Sequence, residues 1–128
     1  MTRFTTSYRP AADYFNDGKL LVAWASLSSG AKPSVDFGAA SPSGAVALFV
    51  VTQLTLGGYT NVVINIQDSA TGNTGWVDVA LLTATFTDEG HTLVRTTGPV
   101  RRYVRGQVAY TGAGAAETLT AAVALARL

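Results

Sequence analysis

Three arginines stand close together in the stretch GPVRRYVRGQVAY, which begins at Gly98. Arg101, Arg102 and Arg105 lie within five positions of each other, in a chain that has only nine basic residues in all. A guanidinium group offers a rigid fork of donors that fits carboxylate and phosphate groups, and arginine is enriched at protein–protein interfaces. The cluster therefore indicates one of three roles: contact with another subunit, pairing with acids of the same chain, or binding of a ligand or nucleic acid.

The strand-like alternation of this stretch divides its side chains between two faces. Its valines share one side, which indicates the face that packs on the core. Arg101, Tyr103 and Arg105 fall on the other side and are expected to project outward as a compact patch. Arg102 shares the valine side, but it lies near the start of the strand, where its side chain can emerge at the edge of the sandwich. We predict that the outward patch contacts another protein; the alternative is local pairing with acids such as Asp36 or Asp78.

Other residues that could support catalysis or metal binding are sparse. His91, the only histidine, follows a turn with Asp88 and Glu89, and a solvated turn before a strand accounts for this arrangement. No serine stands in a nucleophile-elbow pattern, and the glycine-rich stretches fit neither a P-loop nor a dinucleotide fingerprint. The stretch DSATGNTGW has the Asp and Asn of a calcium loop, but it lacks the EF-hand spacing and final glutamate. We therefore expect no enzymatic activity, no metal and no cofactor.

Composition limits the classes of partner. The net charge is +1 and only 13% of residues are charged, a balance that argues against binding nucleic acid through a general basic field. The longest apolar run, GAVALFVV, is too short to span a bilayer, and the first residues lack the apolar core of a secretory signal. Without cysteine the chain forms no disulfides. The apolar content of 48% is high and indicates that apolar surface is buried in an assembly. A dry all-β core would account for part of this content.

Eight segments after residue 18 have the pattern of β-strands, with apolar residues that either alternate with polar ones or run continuously. The segments are KLLVAWASL (19–27), SVDF (34–37), AVALFVVTQL (45–54), TNVVINIQ (60–67), GWVDVALLTATF (75–86), HTLVRTT (91–97), VRRYVRGQVAY (100–110) and ETLTAAVALARL (117–128). Turns rich in Gly, Pro, Asn, Asp and Ser separate them, among them SLSSGAKP after the first. No βαβ alternation is present, so the pattern predicts an all-β protein, an eight-stranded jelly-roll β-sandwich over residues 19–128.

Some of these segments are open to more than one interpretation. The first and last also fit a helix, but their Val, Trp and Thr content favours strands. The segment 75–86 is long enough for two strands or for one bent strand. The nearly continuous apolar run 45–54 is typical of a central strand that is covered on both sides. Trp24 and Trp76 fit core or interface anchors better than sugar-stacking platforms.

Residues 1–18 form a predicted N-terminal arm. The arm has no clean period, Pro10 interrupts it, and it carries four aromatic residues. These are Phe4, Tyr8, Tyr14 and Phe15. Aromatic side chains in this number favour a docked segment, which either straps across its own sandwich or binds another subunit. We include the four residues in the predicted protein interface.

Five motifs follow one another between residues 33 and 127. They are PSVDFGA, an apolar strand, NVVINIQDSATGNTGWVDVA, RRYVRGQVAYTG and a final apolar strand. This order resembles the jelly-roll capsid cement (decoration) proteins of tailed bacteriophages, in which a VDLG-type strand precedes LxVxLQxS-type, W-started and RYLR-type strands. The resemblance implies a small β-sandwich, commonly a homotrimer, that clamps adjacent major capsid protein subunits and performs no chemistry. It also implies a virion protein on the capsid exterior, made in the host cytoplasm.

A second resemblance concerns the RYVR motif and the W-started strand that precedes it. Both are also similar to discoidin-type carbohydrate-binding jelly rolls, many of which carry paired cysteines or a calcium loop. This alternative implies a carbohydrate-binding module of a phage tail or adhesion component. Likeness of fold alone does not choose between a cement protein and a sugar-binding module.

Overall fold

β-strands joined by turns and loops form the described part of the chain. A computed structural model describes residues 19–26 and 29–127, with side chains described for residues 29–126. The strands are β1 (Lys19–Ser26), β2 (Gly30–Ala31), β3 (Val35–Asp36), β4 (Ala45–Thr55), β5 (Asn61–Ser69), β6 (Val77–Phe86), β7 (Gly90–Thr96), β8 (Tyr103–Thr111) and β9 (Thr118–Arg127). These residues contain no helix, so the predicted all-β class is confirmed.

The strands form two antiparallel sheets. The four-stranded sheet has the order β1-β9-β4-β7. The five-stranded sheet has the order β2-β8-β5-β6, and β3 also pairs with β8. One apolar cluster draws side chains from both sheets, so they enclose a common core as a β-sandwich.

Each of the eight predicted segments contains a strand. The two segments that also fitted a helix are β1 and β9, which pair with each other along the same sheet. The segment 75–86 contains a single strand, β6, whose pairing with β5 is irregular between Asn65 and Gln67. This irregularity identifies the segment as one bent strand rather than two strands.

The prediction of a plain turn for SLSSGAKP was wrong in its last part. Gly30 and Ala31 form β2, which pairs with Val108 and Gln107 of β8. A strand of two residues has no periodicity that a sequence pattern can detect. Here the position is set by the backbone groups that β8 offers along its edge.

The core follows the alternation of the strands. Along β5, Val62, Ile64 and Ile66 are fully buried, whereas the residues between them are partly exposed. The same alternation on β8 buries Val104 and Val108 and leaves the arginine side of the strand facing outward. The largest fully buried side chains of the core are Phe49, Ile64, Ile66, Leu82, Leu119 and Leu125.

Residues 45–51 of β4 are buried on both faces, as the continuous apolar run predicts, whereas residues 52–55 are largely exposed. Phe49 belongs to the core between the sheets. Val46 and Leu48 point the opposite way and form a second apolar cluster with Ala126 of β9. The four-stranded sheet therefore has apolar side chains on its outer face as well as on its inner face.

The arm at residues 1–18 lies outside the described residues, and the boundary that separates it from a domain at 19–128 stays a prediction.

In the part of the chain that the structure describes, no helix has the length and apolar character required to cross a membrane.

Candidate functional site

A row of three polar side chains crosses the outer face of the five-stranded sheet. The strand register places Arg105 of β8 opposite Gln67 of β5, and Gln67 opposite Asp78 of β6. Arg105 Nε donates a hydrogen bond of 2.8 Å to Gln67 Oε1, and Gln67 Nε2 donates one of 2.9 Å to Asp78 Oδ1. The amide of Gln67 therefore links a cation to an anion, and this fixes the position of the Arg105 guanidinium group.

Trp76 lies next to this row, at the end of the loop between β5 and β6. The guanidinium carbon of Arg105 is 4.4 Å from the centroid of the indole ring. Such a cation–π contact contributes about 0.5–1 kcal/mol at an exposed site. Arg105 and Trp76 are both partly buried and together form one combined surface.

Arg101 is held by a buried carboxylate at the end of β5. Asp68 Oδ2 accepts a hydrogen bond of 2.8 Å from the backbone N–H of Arg101, and Oδ1 accepts one of 3.0 Å from Nε. Arg101 Nη2 also donates to the carbonyl oxygens of Asp68 (2.9 Å) and Gly75 (3.0 Å). The Arg101 side chain is 39% exposed and that of Asp68 only 9%. The guanidinium group thus joins β5 to the loop that follows it.

Asp68 was not among the sequence-predicted site residues, although the alternation of β5 contained a signal for it. The residues at 62, 64 and 66 point into the core, and the same period puts position 68 on that side. A carboxylate on the core side of a strand requires a partner, because an unpaired buried charge is strongly unfavourable. The nearby arginine cluster is the natural source of that partner.

Arg102 pairs with Asp36 of β3, one of the two acids named as local partners. Arg102 Nε and Nη2 donate hydrogen bonds of 2.7 Å and 2.9 Å to the two carboxylate oxygens. Asp36 raises the pKa of Arg102, chiefly through these hydrogen bonds and also through its charge. The two side chains are 46% and 45% exposed, so the pair lies on the surface, as expected for the arginine at the strand edge.

Tyr103 packs against the loop at residues 69–76. A Cβ atom added to Gly72 would lie 2.9 Å from Tyr103 Cδ1, so the ring lies directly on the glycine backbone. The loop is held from inside by the buried hydroxyl of Ser69, which donates to the carbonyl of Thr74 at 2.5 Å. The same oxygen accepts hydrogen bonds from the backbone N–H groups of Thr71 and Gly72.

The three residues of the predicted patch all contact this loop, and Arg101 does so while it pairs with the buried Asp68. Arg101 binds the Gly75 carbonyl, Tyr103 lies on Gly72 and Arg105 lies over Trp76. We call the surface formed by Arg101, Tyr103, Arg105, Gln67, Trp76 and Asp78 the arginine face. Its residues meet through local pairing, and a role in a protein interface stays a prediction. The other predicted interface residues, Phe4, Tyr8, Tyr14 and Phe15, lie outside the described residues.

An open cleft of about 480 Å³ borders the arginine face at the start of β6. Asp68, Asp78 and Arg101 contribute its charged groups, and Val77 is among its apolar residues. Val77 is 56% exposed, a high value for a large aliphatic side chain on a strand. The cleft combines charged and apolar surface.

His91 lies on β7, where it is exposed and stands opposite Val50 of β4. Among the residues with described positions, no three or more His, Cys, Asp or Glu side chains are grouped so that they could hold a metal ion. Asp68, the acid that begins the stretch DSATGNTGW, directs both carboxylate oxygens to Arg101.

A comparison of the sequence with protein-family models and with curated proteins finds no match.

Proposed function

We propose that this protein is a structural virion protein of the capsid cement type. In this proposal it is a jelly roll that binds the outer lattice of a phage capsid and clamps adjacent major capsid protein subunits. It acts as a homotrimer on the capsid exterior, after synthesis in the host cytoplasm, and performs no chemistry. Because it binds only the assembled lattice, its binding free energy adds to the stability of the shell by mass action.

The strand order supports the jelly-roll part of the proposal. The short strands β2 and β3 both pair with β8, so they occupy the place of one interrupted strand. With that strand counted once, the sheets have the orders β1-β9-β4-β7 and β2/β3-β8-β5-β6. A jelly roll, in which the chain wraps around one core as two Greek keys, is expected to give such sheet orders, and this supports the proposal.

The arginine face is the observation that carries the binding part of the proposal. Arg, Tyr and Trp are the residue types that dominate the binding energy of protein interfaces. Here Arg101 and Arg105 are already held by hydrogen bonds to Asp68 and Gln67. Preorganised side chains lose less conformational entropy on binding than free ones, so this surface suits docking onto a rigid protein lattice.

The proposal is tested with the purified protein and with capsids that lack it. We expect native mass spectrometry to give a trimer and the protein to co-sediment with the capsids. Arg105→Ala and Tyr103→Ala are expected to weaken binding by about tenfold or more, the effect of losing a hot-spot side chain. Arg95→Ala is the matched control, because Arg95 is exposed on β7 of the other sheet. A monomer that fails to bind capsids contradicts the proposal, as does an equal loss in the control.

One observation favours carbohydrate binding as a second candidate. The polar row of Arg105, Gln67 and Asp78 runs beside an indole ring, and such neighbours of an aromatic platform bind sugar hydroxyls. Arg105 already covers one face of Trp76, which leaves less of the ring for stacking and favours protein docking. A glycan array with no bound sugar rejects this candidate. Binding that is lost in Trp76→Ala supports it.

A further inference from the structure

One row of side chains on the five-stranded sheet has a cation at one end and an anion at the other. Arg105 of β8 and Asp78 of β6 stand on either side of Gln67, two strand spacings or about 10 Å apart. Gln67 bonds to both of them, but its amide is neutral and compensates neither charge. We call these three residues the charged row.

The neighbouring rows of the same outer face carry no charge. Along the strands, the charged row is followed by two rows, which consist of Gln107, Asn65 and Thr83, and of Ala109, Val63 and Thr85. All six of these side chains are exposed or partly exposed. The centre of a protein–protein interface is depleted in charged residues, so an uncharged sheet face beside one charged row fits such a surface.

Both charged groups of the row have hydrogen-bonding capacity left over. Arg105 uses Nε for Gln67, and its Nη1 and Nη2 groups form no hydrogen bond with any described residue. Asp78 uses Oδ1 for Gln67, and its Oδ2 accepts no hydrogen bond from the same part of the chain. A guanidinium group binds a carboxylate through two parallel N–H donors, so each end of the row fits the opposite end of another row.

The order of the charges determines how a second copy would fit. The row runs across the strands, with Asp78 on the edge strand β6 and Arg105 on β8, two strands further in. Around a rotation axis parallel to the strands, the Asp78 end of each row meets the Arg105 end of the next. Contacts of this head-to-tail kind close into rings. A second copy of this chain thus supplies both charges in the order and at the spacing that the row requires.

We propose that the charged row is a contact between copies of this chain, in which Arg105 of each subunit binds Asp78 of the next. The inference rests on the homotrimer of the proposed function, in which the three rows form a ring of alternating charges around the axis. Arg101 and Tyr103 belong to the arginine face but lie outside the row, so they stay available to the capsid lattice.

Exchange of the two charges in the full-length protein tests the contact. Arg105→Glu and Asp78→Arg each bring like charges together. Each should raise the concentration at which half of the protein is trimeric by at least about tenfold. The double variant restores opposite charges and should recover most of the lost affinity. The Gln67 amide has both a donor and an acceptor, so it can turn over and bond to the exchanged charges. Sedimentation equilibrium at several protein concentrations measures the assembly.

Three further variants make the result specific. Arg95→Glu and Glu89→Arg introduce the same changes of charge at exposed positions outside the row, and the trimer should be unchanged in both. Asp78→Asn removes the charge from an exposed residue and keeps an oxygen for Gln67, so it should weaken the trimer without loss of folding. A double variant that assembles no better than the single ones overturns the proposal, as does an Asp78→Asn trimer as stable as the wild type.

Capsid binding separates a failure of this inference from a failure of the proposed function. Single variants that stay trimeric but no longer co-sediment with capsids would show that the row contacts the capsid protein. That result overturns the inference and supports the cement role, and so does a wild-type protein that binds capsids as a monomer. A wild-type trimer that the charge changes dissociate, but that ignores capsids, supports the contact between copies and contradicts the cement role.

Discussion

The Asp68–Arg101 pair lies deeper than the other ion pair of the arginine cluster. The Asp68 side chain is 9% exposed, whereas Asp36, which pairs with Arg102, is 45% exposed. Water therefore competes weakly for the Asp68 carboxylate and strongly for the Asp36 carboxylate. Removing one member of a buried pair leaves the other charge buried without a partner, which is destabilising. Ion pairs on the surface, in contrast, contribute little to stability.

We predict that Asp68→Asn lowers the free energy of unfolding by about 1–3 kcal/mol, the cost of leaving a partly buried charged donor without its acceptor. Asp36→Asn serves as the matched control and should cost clearly less, because the pair that it breaks lies in water. Urea denaturation of both variants measures the difference. Equal losses would show that burial does not set the strength of these pairs.

Tyr110 is a phenol packed against the core near the end of β8. Burial raises its pKa, and Glu117 and Tyr59 add to the effect. The folded state therefore holds the phenolic proton more tightly than the unfolded chain. The contribution of Tyr110 to the free energy of unfolding is fully present below the unfolded pKa of about 10. It is lost as the pH rises through the folded pKa.

We expect Tyr110→Phe to reduce the fall in stability above about pH 10, where the wild-type phenol begins to ionise in the unfolded chain. At neutral pH the change should cost less than about 1 kcal/mol. The reason is that the buried hydroxyl makes no hydrogen bond among the described residues. Thermal denaturation of both proteins as a function of pH measures the two effects. Identical profiles at high pH would rule out the contribution of Tyr110.

At the scale of residues, the sequence indicated the outward patch but not its partners. Strand alternation sufficed to separate Tyr103 and Arg105 from the valines of the same stretch. It could not reveal that Arg101 turns to Asp68, because that contact joins residues 33 positions apart in sequence. Partners across a sheet depend on strand register, which a single sequence does not provide.

At the scale of elements, the loop at residues 69–76 is the support on which the arginine face is built. Gly72 and Gly75 both have positive φ values, of 81° and 70°. A Cβ atom at Gly72 would come within 2.9 Å of the Tyr103 ring, whereas one at Gly75 would meet nothing within 4 Å. The two glycines therefore share a backbone requirement and differ in their surroundings.

We predict that Gly72→Ala destabilises the protein more than Gly75→Ala. Either alanine incurs a backbone cost of about 1–2 kcal/mol in the left-handed region. The contact with Tyr103 adds to that cost only at Gly72 and displaces the ring from the loop. Denaturant midpoints of the two variants give the comparison. Equal midpoints would mean that the ring moves aside without cost.

Strand prediction succeeded where the pattern was local and failed where pairing decided the outcome. The alanine-rich β9 could be separated from a helix by its threonines and by the period-two face of Leu119, Val123 and Leu125. These three side chains are fully buried in the core. The two residues of β2 carry no pattern of their own, since they become a strand only by pairing with β8.

At the scale of the whole molecule, the sandwich is held by strand pairs that are distant in sequence. Among the described strands, β5 and β6 are the only consecutive pair that is hydrogen-bonded within a sheet. All other pairs, such as β1 with β9 and β2 with β8, must close long loops before they gain any pairing energy.

We therefore expect slow refolding, on the order of milliseconds to seconds, as in other β-proteins dominated by non-local contacts. Stopped-flow dilution from urea, followed by tryptophan fluorescence, measures the rate. Refolding that is complete within microseconds would contradict this expectation.

The position of β9 has a consequence for synthesis on the ribosome. β9 pairs with both β1 and β4, yet it is the last of the described strands to be translated. Until it emerges, the nascent chain carries two strands whose shared partner does not yet exist. Open strand edges and uncovered apolar surface in a nascent chain favour aggregation or chaperone binding. Release of residues 118–127 is thus the event that turns two vulnerable edges into one continuous sheet.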